Sequence, residues 1–183
     1  MKKIVILFSG EGSNLENIIK ELHKKDVDVV KAITNNPDAN GINRAKVFGV
    51  DTIVIQHTNY KTREEFDQKL VDTIKSLDVD LTVLAGFMRI LTPVFTDNIK
   101  AINIHPSLLP NFKGANAPQK SFESDIQKVG VTVHDVVTEV DGGEIILQKS
   151  FDKSGMDFET FMRKIHECEY EIFPIAIRKV LNL

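Results

Sequence analysis

Cysteine is almost missing from this chain: Cys168 is the only one among 183 residues. A single cysteine closes no intramolecular disulfide, and no His, Cys and carboxylate spacing resembles a metal site, so the reading is a reducing, cytoplasmic setting without a metal. Cys168 itself lies in a helical pattern with no base beside it and is expected to be a packed side chain. Long apolar runs are missing as well. No stretch approaches the roughly 18 apolar residues of a spanning helix, and the run Ile4 to Phe8 behind Met1-Lys2-Lys3 is too short for a signal peptide's apolar core. Neither sign of charge is in excess, since 23 basic side chains stand against 26 acidic ones, a formal balance of -3. That balance supplies no electrostatic footprint for nucleic acid or an anionic membrane, which leaves small solutes as the expected partners. Internal repeats, low-complexity tracts and Gly/Ser-rich linkers are also absent. The chain therefore reads as one domain, or two closely packed lobes, long enough to bury most of its unfolded surface.

What is present is a rhythm. Apolar runs of strand type at 3–8, 27–34, 51–55, 80–85 and 101–105 alternate with helix-period segments near 14–25, 41–49, 62–78 and 92–98. This is the pattern of parallel βα units. Ser13 with Glu16, and Thr62 with Glu65, have the spacing of capping boxes ahead of amphipathic segments. After Pro110 the pattern changes to a short helix near 116–125, strands at 129–137 and 144–151 joined through Asp141-Gly142-Gly143, and a long helix over 157–181. The predicted fold is α/β: a mostly parallel, Rossmann-like sheet flanked by helices, with an antiparallel carboxyl-terminal extension and a long closing helix. The change near residue 100 reads as a lobe boundary, and a cleft between lobes is the natural site.

Ser9-Gly10-Glu11-Gly12-Ser13-Asn14 follows the first strand and opens a helix, which turns backbone N–H groups and a helix dipole toward an anion. A dinucleotide fingerprint would need a third glycine where Leu15 stands and an acidic residue where Asn35-Asn36 end the second strand. No Lys-Ser/Thr pair follows the glycines, so a P-loop is also excluded. A single phosphate monoester fits, provided that the Glu11 carboxylate points into solvent. A tight turn capped by Ser13 is the plainer alternative.

Asn103 and His105 project from the same side of one apolar strand, because strand side chains alternate. Pro106 ends that strand, placing both near its carboxyl end, where ligands bind in open α/β sheets. Asp-Gly alone signals a hairpin turn, so Asp141 has a purely architectural reading. Facing an imidazole and an amide, however, its carboxylate would complete an acyl-transfer site in which Asn103 and His105 donate to a developing oxyanion. His134 shares a strand face with Thr132 and points toward the same cleft or serves the structure only. His23, His57 and His166 have no matched partners in the sequence. In Ala85-Gly86-Phe87-Met88-Arg89-Ile90-Leu91, an arginine among apolar neighbours after a strand suggests a pocket for a flat heteroaromatic ligand.

Four ordered motifs carry a resemblance that covers the chain essentially end to end: Ser9-Gly10-x-Gly12-Ser13-Asn14, Ala85 to Leu91, Asn103-Ile104-His105-Pro106-Ser107-Leu108-Leu109-Pro110, and Asp141-Gly142-Gly143 with Ile145 to Gln148. With them the sequence resembles the glycinamide ribonucleotide formyltransferases, folate-dependent enzymes of purine synthesis. The resemblance implies formyl transfer from 10-formyltetrahydrofolate, as co-substrate, to the glycyl amine of 5-phosphoribosylglycinamide. By the same resemblance Asn103, His105 and Asp141 are catalytic, Gly12, Ser13 and Asn14 hold the phosphate, and Glu169 contacts that substrate. The folate contacts it implies are Arg63, Met88, Arg89, Ile90, Leu91, Asn103, Val140 and Asp141. Residues 1–100 then form the phosphate-binding lobe and 101–183 the catalytic and folate-binding lobe. Small-molecule substrates, no nucleic acid, no membrane and a monomer or homodimer complete the expectation. Pro118 stands where the family commonly has His. The tRNA-directed formyltransferases share the Asn-x-His-Pro motif but add a tRNA-binding domain, for which no basic surface is supplied here.

Overall fold

The computed structural model describes residues 1–183. Five strands alternate with helices in the first part of the chain: β1 (Lys2–Phe8), α1 (Ser13–Leu22), β2 (Val27–Thr34), α2 (Gly41–Val47), β3 (Thr52–Val54), α3 (Arg63–Ser76), β4 (Leu81–Leu84), α4 (Pro93–Thr96) and β5 (Ala101–His105). The remainder adds α5 (Ala117–Glu123), β6 (Lys128–Asp135), β7 (Ile145–Asp152) and α6 (Phe158–Leu181). One seven-stranded sheet runs β3-β2-β1-β4-β5-β6-β7. β1 to β5 pair in parallel, while β6 is antiparallel to both β5 and β7. The predicted α/β architecture, with its antiparallel extension and closing helix, is the one observed.

Alternation along β1 distributes the core. Ile4, Ile6 and Phe8 face the larger apolar layer, beneath α1 and α6, whereas Val5 and Leu7 face the smaller one with Phe66 and Leu70 of α3. Cys168 is buried in the first layer, and burial pushes its thiol up, as suits a packing residue. Strand order reverses at β1, since β2 and β3 lie to one side and β4 and β5 to the other. The carboxyl ends of β1, β4 and β5 therefore open onto one crevice, the ligand position of such sheets.

Helix starts divide the two predicted capping boxes. Thr62 Oγ1 accepts from Glu65 N at 3.1 Å, and Glu65 reaches back to Lys61 N at 2.9 Å, so the box before α3 forms with its return contact one residue early. Before α1 the box does not form. Gly12, not Ser13, is the cap residue, with φ 72 and no side-chain cap bond, and Glu16 instead pairs with Lys20 and Arg44. The reason is spatial: a Cβ at position 12 would lie 2.5 Å from the Gly41 Cα, so the loop takes a left-handed turn open to glycine.

Candidate active site

Two clefts meet at the crevice. The smaller, about 480 Å³, is walled by the loop after β1, by Asn35 and Asn36 after β2, and by His57. Gly12, Ser13 and Asn14 all line it, at the amino end of α1. Glu11 lines the cleft as well but is exposed, and its Oε2 accepts at 3.1 Å from Nδ2 of Asn40, a residue outside the lining. Behind the loop Asn14 Nδ2 donates to Glu169 Oε2 at 3.0 Å, while Asn14 Oδ1 is buried with no partner. Burial pushes the Glu169 carboxyl up to about 7, with only the Asn14 bond opposing it.

The larger cleft, about 740 Å³, is walled by the segment after β4, the end of β5, the loop 114–116 with the start of α5, and the loop 136–141. Met88, Arg89, Ile90, Leu91, Asn103, His105, Val140 and Asp141 all line it. Met88 and Ile90 leave 76% and 58% of their surface exposed, an apolar wall awaiting a cover. Arg63 is exposed at the start of α3 and lines neither cleft. Met88 lines both clefts, so their contents would meet beside it. Its segment is anchored at each end: Met88 N donates to Ser9 Oγ at 2.8 Å, and the buried Asp67 accepts from Thr92 N and Thr92 Oγ1 at 2.6 and 2.7 Å. Burial raises the Asp67 carboxyl, partly offset by those two bonds.

At the floor, Asp141 Oδ2 lies 3.4 Å from His105 Nδ1 and accepts from Gly114 N at 2.8 Å. Burial raises the Asp141 carboxyl, but His134, the Gly114 amide and the His105 charge outweigh it and hold the group below its usual range. His105 Nε2 faces the Phe112 carbonyl at 2.9 Å, so both ring nitrogens face acceptors and are satisfied together only when both carry hydrogen. The turn that follows β5 is stitched from below. Thr132 Oγ1 donates to Ser107 O and accepts from Leu109 N and Gln148 Nε2, which uses its full capacity.

His134 belongs to this cleft, the first of the two readings that the sequence leaves open for it. It pairs with Asn103 across the β5–β6 ladder. Its Nδ1 faces the Asp135 carbonyl at 2.8 Å and so carries hydrogen, while Nε2 lies 3.2 Å from Asn103 Nδ2 and 3.4 Å from Asp141 Oδ1. Without a proton, Nε2 accepts from the amide and turns the Asn103 NH₂ inward; with one, it donates to the carboxylate. The shared face of Thr132 and His134 was the available signal. Phe112 and Gly114 act through backbone atoms, which no residue type announces.

A sheet open at its switch point, a glycine loop at a helix amino end on one side and an amide, imidazole and carboxylate on the other have the layout of a group-transfer enzyme. The family model described as formyl transferase matches residues 2–177, and the chain belongs to that family. It is 42% identical over 183 residues to the phosphoribosylglycinamide formyltransferase of Haemophilus influenzae, covering 97% of this chain and 86% of that protein. The crystal structure of the phosphoribosylglycinamide formyltransferase from Campylobacter jejuni superposes with a TM-score of 0.97 at 55% identity, covering 98% of this chain and 97% of that one. The trifunctional purine biosynthetic protein adenosine-3 of Gallus gallus is 40% identical over 98% of this chain, which spans 18% of that longer protein. No cluster of His, Cys, Asp and Glu capable of holding a metal occurs, and no helix is long and apolar enough to cross a membrane.

Proposed function

We propose that this formyltransferase moves the formyl group of 10-formyltetrahydrofolate onto the glycyl amine of 5-phosphoribosylglycinamide, within purine synthesis. The observation that carries the reading is the meeting of the two clefts at Met88, in the larger of which Asn103, His105 and Asp141 also stand. The phosphate sits on the Gly12-Ser13-Asn14 loop, and the ribonucleotide reaches Glu169 behind it. The pterin occupies the apolar wall of Met88 to Leu91, with Val140 in the same lining, and Arg63, outside that lining, meets the anionic end of the donor. Residues 1–100 thus supply the phosphate lobe and the Met88–Leu91 side of the larger cleft, and 101–183 the reacting groups and the remaining folate-binding lining.

The amine attacks the formyl carbon, a carbon–nitrogen bond forms, and the carbonyl oxygen becomes an oxyanion. Asn103 Nδ2 and the His105 Nδ1–H, whose contact to Asp141 is a loose 3.4 Å, donate to that oxygen, each well-placed donor contributing about 3 kcal/mol. The bond from carbon to the folate nitrogen then breaks as a proton passes from the amine to that nitrogen through water. Asp141, ionised by its contacts, faces the His105 ring and helps move that proton through water. Anchoring the phosphate away from the chemistry supplies orientation. The enzyme works in the cytoplasm as a monomer or homodimer, without a metal, nucleic acid or membrane partner.

The test is to mix protein, 10-formyltetrahydrofolate and 5-phosphoribosylglycinamide, follow the folate product by absorbance, and repeat without the acceptor. Acceptor-dependent product supports transfer. Equal product without acceptor would indicate a hydrolase, and no product in either arm would refute the assignment.

A further inference from the structure

We infer that His57 is a phosphate ligand of the smaller cleft, a specificity residue for the phosphorylated acceptor; this rests on the reading of that cleft under Proposed function. Among the side chains lining the cleft, only Glu11 and His57 ionise, and Glu11 is turned to Asn40. The cleft contains no Lys or Arg, so a phosphate there is met by neutral donors, and the His57 ring is one of them. Asn35 and Asn36 otherwise offer neutral amides only.

A directed chain of hydrogen bonds fixes what His57 presents. Met88 N–H can only donate, so Ser9 Oγ accepts from it at 2.8 Å and sends its own hydrogen to Asn35 Oδ1 at 2.6 Å. That orients the Asn35 amide, whose Nδ2 lies 3.2 Å from His57 Nδ1 and donates to it. With Nδ1 accepting, the hydrogen of the neutral ring must sit on Nε2, which has no partner in the protein. The ring is held by Asn35, itself only 7% exposed, and by edge contact with Phe66 at 6.3 Å between centroids. His57 therefore brings to the cleft a preset N–H that needs no reorganisation to meet a phosphate oxygen. The glycine loop donates from one wall and His57 from another.

The same chain ends at Met88, in the donor wall, so a merely structural role for His57 would disturb both substrates. His57→Ala and His57→Gln are compared with the parent protein using three readouts: kcat/KM for 5-phosphoribosylglycinamide and for its dephosphorylated nucleoside, KM for the formyl donor, and calorimetric binding of inorganic phosphate. The expected result for His57→Ala is about a tenfold loss of kcat/KM on the phosphorylated acceptor, as for one charge-assisted bond. Phosphate binding should weaken in parallel, the nucleoside and donor values should stay within twofold, and His57→Gln should recover part of the loss. Equal losses on both acceptors, a raised donor KM with unchanged phosphate binding, or no change beyond twofold would each overturn the inference. Phosphate binding that depends on His57 in a parent protein inactive in formyl transfer would uphold the ligand role while refuting the transfer reading.

Discussion

Glu169 on the closing helix accepts a hydrogen bond from Asn14 at the head of the first helix, a 3.0 Å contact across 155 positions of sequence. It ties the two ends of the chain beneath the anion loop with a carboxyl that burial has pushed up to about 7. Between roughly pH 4.5 and 7 the native state keeps a proton that the unfolded chain has released, so this group's contribution is full at the acid side and is lost as pH rises through the folded value. Such a rise corresponds to on the order of 3 kcal/mol.

Glu169→Gln should accordingly be more stable than the parent at pH 8 and show a flatter stability profile from pH 5 to 8. Urea denaturation at those two values reads it, and the acceptor KM should rise in the same variant. An unchanged profile would mean that Glu169 is ionised throughout.

Asp141→Asn keeps an oxygen for the Gly114 amide and loses the charge facing His105. Turnover should fall by roughly 10²-fold or more, the order seen when one preorganised polar group is removed from such a site, while phosphate binding is retained. Steady-state kinetics beside phosphate calorimetry separates the two effects. Turnover near that of the parent would remove Asp141 from the mechanism.

Asp67→Ala should leave Thr92 N and Thr92 Oγ1 without their buried acceptor, costing about 1–3 kcal/mol per orphaned group. Because those bonds anchor the donor wall, the formyl-donor KM should rise several-fold more than the acceptor KM. Asp67→Asn, which can still accept, should lie between the two in both measurements.

Gly143→Ala would place a Cβ 1.8 Å from the Asp135 carbonyl oxygen, at the base of the loop that carries Asp141. The strands must part there, and a loss of about 1–3 kcal/mol with a fall in turnover is expected. Thermal denaturation and the formyl-transfer assay test it together. Parent-like behaviour in both would show that the loop yields freely.

Most of the fold was legible because β-runs and amphipathic helices carry their own periodicity: the expected strands at 27–34 and 101–105 coincide with Val27–Thr34 and Ala101–His105. Local signals failed where a distant neighbour decided. Ser13 has the composition of a cap, but the approach of Gly41 gives that position to Gly12. Among site residues, Asn103 and His105 were readable from alternation and from Pro106, whereas His134 depends on a cross-strand register that no short motif states. The partner of His57 is Asn35, 22 positions away, and emerges only once β2 and the turn after β3 are placed side by side.

The strand order has one more consequence. The anion loop follows β1 and the reacting amide stands on β5, with β4 alone between them. Strands in a sheet are spaced about 4.8 Å apart, so the lateral offset between β1 and β5 is roughly 10 Å, set by backbone hydrogen bonds rather than by any side chain. Under the proposed function the sheet then works as a gauge: an acceptor whose amine lies much nearer to or farther from its phosphate would bind without presenting its nitrogen to the formyl carbon.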